Sequence, residues 1–136
     1  MSSVAEIDII QTLQVQLPLG LLGFERIKTY SLIAKPDQEP FRWLSVLDGE
    51  DLAFLVVPPC FVMPDYAPDL SDDDVDFLEI RNPNDAFVFN IVTLKSDGSA
   101  TVNLKGPIVI NRHTLIGKQV VLSQSSYAIQ HPISAV

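Results

Sequence analysis

Residues 86–110 read AFVFNIVTL, then KSDGS, then ATVNLKGPIVI. Ala86 to Leu94 and Ala100 to Ile110 are the two longest strand candidates in the chain, rich in β-branched and aromatic residues. Lys95-Ser96-Asp97-Gly98-Ser99 joins them, and Asp-Gly between two such runs signals a hairpin. Gly106-Pro107 interrupts the second run, because proline brings no N–H to a ladder, and predicts a bulge or an edge there.

The same period-two pattern runs outward from this hairpin. Ile9, Leu13, Val15 and Leu17 share a face among Gln11, Gln14 and Gln16, until Pro18 and Gly20 stop the strand. Thr29 to Ala34 reads as a second strand, ended by Lys35-Pro36-Asp37. Phe41 to Leu47 is a third, with Asp48-Gly49 as its turn. Leu52 to Val57 is a fourth, closed by Pro58-Pro59. Phe77 to Arg81 reads as another short strand, Asn82 to Asp85 as a loop, and Gln119 to Leu122 as the last strand. The polar tail from Ser123 is expected to fray, Tyr127 and Ile129 apart. One exception interrupts the β pattern. Ser71 is placed to cap a short helical turn at Asp72-Asp73-Asp74, whose charges suit a helix N-terminus.

About eight short strands and at most one short helix predict an all-β fold. The expected form is an antiparallel β-sandwich or a partly closed β-barrel. The 136 residues fit one domain. A single cysteine, Cys60, allows no intrachain disulfide. Met1 to Ile10 carries Glu6 and Asp8 and lacks the basic-then-apolar pattern of a signal peptide. No apolar run approaches the roughly 20 residues of a membrane helix.

Nine basic and 17 acidic residues give a formal charge of −8. Such a surface repels phosphate backbones and attracts basic proteins, so direct nucleic-acid binding is not expected.

The sequence carries no recognisable catalytic or cofactor kit. Gly20-Leu21-Leu22-Gly23 lacks the Lys-Ser/Thr and helix of a phosphate loop and reads as a turn. An EF-hand started at Asp72 would need glycine where Phe77 stands and glutamate where Pro83 stands. His113 and His131 sit in no zinc-ligand spacing. Cys60, between Pro59 and Phe61, reads as buried, inert packing, and Trp43 as core. No metal and no cofactor is expected.

Five ordered blocks resemble one family. Thr101-Val102-Asn103-Leu104-Lys105-Gly106-Pro107-Ile108-Val109-Ile110-Asn111, followed by Gly117-Lys118-Gln119-Val120-Val121-Leu122, is similar to the hallmark of the FliW family of flagellar assembly factors. Leu19-Gly20-Leu21-Leu22-Gly23-Phe24-Glu25 resembles its N-terminal Gly-Leu-Pro-Gly-Phe-Glu, and Phe41 to Leu44 with Leu52 to Val57 resemble its central strands. Pro64-Asp65-Tyr66 resembles its proline-aspartate-tyrosine loop, and Tyr127 with His131-Pro132 closes the match. The likeness runs from about Leu17 to Ile133, within a single domain of residues 1–136. Leu22 replaces the usual proline, Pro58 a common aspartate and Gln130 a common arginine, and Ser45-Val46 stands where Gln-Ser is frequent.

The resemblance implies a cytoplasmic protein, monomeric when free, that works by binding proteins and not by catalysis. Its implied partners are flagellin, which it chaperones, and CsrA, the RNA-binding repressor of flagellin translation, which it antagonises allosterically. The alternatives are a chaperone for flagellin alone, a small-molecule-binding barrel with an open apolar cavity, or a barrel enzyme. Candidate contact residues are Asp65 and Tyr66 in a loop, the acidic run Asp72, Asp73 and Asp74, and Asn103, Lys105, Pro107 and Asn111 in the hallmark block. For Tyr66 the competing role is a ring covering the core edge. For Asn103 it is satisfying buried backbone groups.

Overall fold

The computed structural model describes residues 11–47, 49 and 51–133; Ile9 and Asp48 therefore lie outside the described residues. Four strands come first: β1 (Gln11–Gln16), β2 (Thr29–Ala34), β3 (Arg42–Val46) and β4 (Ala53–Val57). A 3-10 turn at Pro59–Phe61 and the helix α1 (Asp72–Leu78) follow. Then come β5 (Ala86–Leu94), β6 (Ala100–Val102), β7 (Ile108–Asn111), β8 (Gly117–Gln119) and β9 (His131–Ile133). The fold is the all-β one expected, with nine strands among the described residues where about eight were read.

Every strand pairing is antiparallel, in the order β1-β2-β3-β4-β5-β6-β9. β5 is shared between two directions. Its second half lies between β4 and β6, while its first half, Ala86 to Phe89, pairs with β7, which pairs with β8. The path β1-β2-β3-β4-β5-β7-β8 thus bends round into a barrel. Among the described residues no ladder closes it; β1 reaches the start of β8 through one parallel bridge, Gln16 to Ile116.

The alternation drives this curl. Val15, Leu17, Tyr30, Leu32, Leu44, Val46, Val56, Phe89, Ile108 and Ile110 all turn inward and form the barrel core. Burial of a side chain of this size contributes about 1.5–3 kcal/mol. One end of the barrel opens into a cavity of about 730 Å³ bordered by Leu13, Leu32, Ala34, Arg42, Phe87 and Phe89. Two smaller clusters lie outside the barrel. One, around Val57, Val92, Val102 and Leu104, is covered by Val62, Met63, Tyr66 and Ile133. The other, around Val109, Val120 and Leu122, is covered by Leu78 of α1.

The structure corrects several sequence expectations. Ala100 to Ile110 is two strands, because the chain leaves the β5-β6 ladder after Val102 and, past Gly106-Pro107, enters the β5-β7 ladder at Ile108. Phe77 to Arg81 is not a strand. Asp74, Val75 and Leu78 turn inward at helical spacing, and Ser71 caps the first turn, its side chain accepting from Asp74 N–H at 3.1 Å. Glu79, at φ 56°, and the Ile80 N–H to Val75 carbonyl bond (3.1 Å) end the helix. The last internal strand is Gly117–Gln119, earlier than the expected Gln119 to Leu122. Residues 120–122 run beside the corner instead, Val120 N–H donating to Pro107 and Leu122 N–H to Lys105. The tail is not frayed to Ile133, since β9 pairs with β6. Cys60 is exposed and Trp43 half-buried, its indole N–H donating to Gln38 at 2.8 Å. Phe24 sits at the rim, edge-on to Phe54 with ring centroids 5.0 Å apart.

Candidate interaction surface

The Gly106-Pro107 corner is tied from three sides. The Asn103 side chain accepts from Lys105 N–H (3.0 Å) and so shapes the turn before the glycine. Gln119 reaches both ways: its amide nitrogen donates to the Gly106 carbonyl (3.1 Å), and its oxygen accepts from Leu22 N–H (2.9 Å). That second bond anchors the Leu19–Phe24 loop to the corner. Gly20 in this loop has φ +68°, and a Cβ there would stand 2.6 Å from the Glu25 backbone, so only glycine fits. The loop presents Leu19 and Leu22 to solvent.

Tyr66 closes a second set of contacts. Its hydroxyl donates to the Leu104 carbonyl at 2.6 Å and receives Asn90 Nδ2 at 3.4 Å. The fully buried Asn90 also donates to the Asn103 carbonyl at 2.8 Å. The Tyr66 ring lies 4.7 Å from that of Tyr127, and burial pushes the phenol above its ordinary pKa. Tyr66 therefore covers the core edge, while its neighbour Asp65 is exposed.

The acidic run divides in the same way. Asp72 and Asp73 are exposed, but Asp74 is buried and pairs with Lys118 Nζ at 2.5 Å. Burial opposes the Asp74 charge, yet the Lys118 ammonium and the Ser71 bonds outweigh it and hold the carboxyl below its usual range. Lys118 also lies over the Phe77 ring, 5.6 Å from its centroid. Asn111 is buried. It donates to the Leu78 carbonyl (2.8 Å) and the Glu79 carbonyl (3.3 Å), and it accepts from His113 N–H (2.8 Å) and Thr114 N–H (3.1 Å).

Asp74, Pro107 and Asn111, read from the sequence as candidate contacts, are thus buried and position the surface from beneath. Asp65, Asp72 and Asp73 are exposed, and Lys105 and Asn103 are half-buried. Between α1 and residues 120–125 runs a groove of about 440 Å³, lined by Asp69, Leu70, Ser71, Val121, Leu122 and Tyr127 among others. Its lining is mainly apolar and hydroxylic; of its two carboxylates, Asp69 and Asp74, the second is paired with Lys118. Among the described residues, no three His, Cys, Asp or Glu side chains are grouped to hold a metal ion. No helix among them is long and apolar enough to cross a membrane. Sequence reasoning did not single out Asn90, Lys118, Phe77 or the bridging role of Gln119. Their partners lie 13 to 97 residues away in the chain, so no local signal marks them.

The fold defines a single small all-β domain, built on an antiparallel sheet with one short helix. The family model described as FliW protein matches residues 1–133. The flagellar assembly factor FliW of Natranaerobius thermophilus is 35% identical over 130 residues, covering 94% of this chain and 86% of the relative. That of Syntrophus aciditrophicus is 41% identical over 115 residues, covering 84% and 73%. A crystal structure of the flagellar assembly factor FliW superposes with a TM-score of 0.82 at 31% identity, covering 90% of this chain and 86% of that one. The chain belongs to the FliW family of flagellar assembly factors.

Proposed function

We propose that this protein acts in the cytoplasm by binding other proteins and not by catalysis. It holds newly made flagellin as a chaperone. When flagellin is exported, the freed protein captures CsrA and relieves its repression of flagellin translation. The observation that carries this reading is the family match across residues 1–133. The formal charge of −8 and the exposed Asp72 and Asp73 on α1 support it, since they suit a basic partner such as an RNA-binding repressor. The exposed Asp65, Asp72 and Asp73, with the half-buried Lys105 and Asn103, are the contact candidates. The open barrel mouth has the apolar lining of a small-molecule site, but the family match favours protein partners.

The test is a calorimetric titration of the full chain with CsrA from the same source, with and without saturating flagellin. We expect CsrA binding that flagellin abolishes. Flagellin binding without any CsrA binding would leave a chaperone and remove the translational branch.

A further inference from the structure

We infer that β1 is a self-complementary edge through which two copies of this chain join their sheets at high concentration. Among the described residues the sheet ends at β1, β8 and β9. Sheet edges are normally blunted by shortness, proline or charge. β9 has three residues with Pro132 at its centre, and β8 has three with Lys118. β1 has six residues, Gln-Thr-Leu-Gln-Val-Gln, with neither proline nor charge.

The backbone directions follow from two bonds. Leu17 N–H donates to Lys28 on the β2 side, while Gln16 N–H turns the other way, to Leu115. Alternation then assigns the groups of Leu13 and Val15 to β2, and those of Thr12 and Gln14 to the outer edge. Among the described residues no strand pairs with that edge at 12–14, and residues 11–14 are all exposed.

An antiparallel partner must offer the same pattern. The register that uses only free groups sets Thr12 opposite Gln14 of the second copy and Gln14 opposite its Thr12. The twofold axis then passes through Leu13, which is 40% exposed in the single chain. The two Leu13 side chains meet in a non-hydrogen-bonded pair, where cross-strand neighbours come closest. Gln16 stays on Leu115, so nothing in the barrel has to break. A second copy fits better than a basic segment here. The edge itself carries no charge to attract one. So short an interface gives a weak dimer, and the dilute chain stays a monomer.

Sedimentation of the full chain over its accessible concentration range tests this, together with hydrogen exchange of the Thr12 and Gln14 amides. We expect a mass that doubles with concentration and amides that gain protection in step. Thr12→Pro removes an intermolecular donor without touching the β1-β2 ladder, and should abolish the dimer. Leu13→Lys keeps every backbone donor, places two like charges at the axis, and should abolish it as well. A monomer at every concentration overturns the inference. So does a dimer that survives both substitutions. Amides equally protected at all concentrations also overturn it, since the chain itself would then cover the edge.

Discussion

The barrel interior and the layer around α1 are held together by different means. Inside the barrel, aliphatic and aromatic side chains from six strands converge, and cohesion comes from apolar burial shared among many residues. Outside it, α1 and the 59–70 segment rest on smaller clusters and are fastened by single polar residues: Ser71, Tyr66, Asn111 and the Lys118–Asp74 pair. Shared burial fails all at once; a single bond releases one segment. The outer layer, which carries the groove beside α1, is therefore expected to open locally while the barrel stays folded.

Three perturbations can break or sharpen this contrast. The largest effect is expected in the barrel. Leu44→Ala should lower global stability by about 2–5 kcal/mol, as core truncations of this kind do. In chemical denaturation, barrel and outer layer should then lose stability together; a loss confined to α1 would break the comparison.

Asn111→Ala should come next, at about 2–3 kcal/mol, because buried groups left without a partner each cost about 1–3 kcal/mol. Its signature should be local. Amides of α1 and Ile80 should exchange much faster while those of β3 and β4 change little.

The smallest effect concerns pH. Asp74 has a folded pKa below its ordinary 3.8, so its contribution is present above that value and is lost as pH falls through the lower folded one. Hydrogen exchange of α1 should therefore accelerate on acidification through that window. Lys118→Met should remove the pH step at α1 and leave the acid response of the half-buried Asp85 and the exposed Asp97 in place. An unchanged step would show that the pair does not fasten the helix.

The two halves of residues 86–110 show how far the sequence could be read. Asp97-Gly98 gave the hairpin in place, because a turn with positive φ is a local requirement and Gly98, at φ +87°, meets it. Gly106-Pro107 announced an interruption, but whether a strand bulges or changes sheet depends on what lies beside it, and that neighbour is β7's own partner β8. The same limit explains Phe77 to Arg81. Its apolar residues suit strand or helix alike, and the decision came from Ser71 before it and Asn111 beneath it. For the candidate surface, Asp65, Asp72 and Asp73 were found as exposed acids. Asp74 could not be separated from them, because only folding brings Lys118, 44 residues on, to its side.

By itself, then, the sequence determined the all-β class, most strand positions, the helix cap and the acidic balance, all of which rest on residues close together in the chain. Tertiary structure alone decided that the sheet curls into an unclosed barrel and that β5 serves two ladders. It also decided which polar residues of the signature blocks are buried supports. Those outcomes depend on pairings between distant segments, and burial is a property of what arrives on the other side.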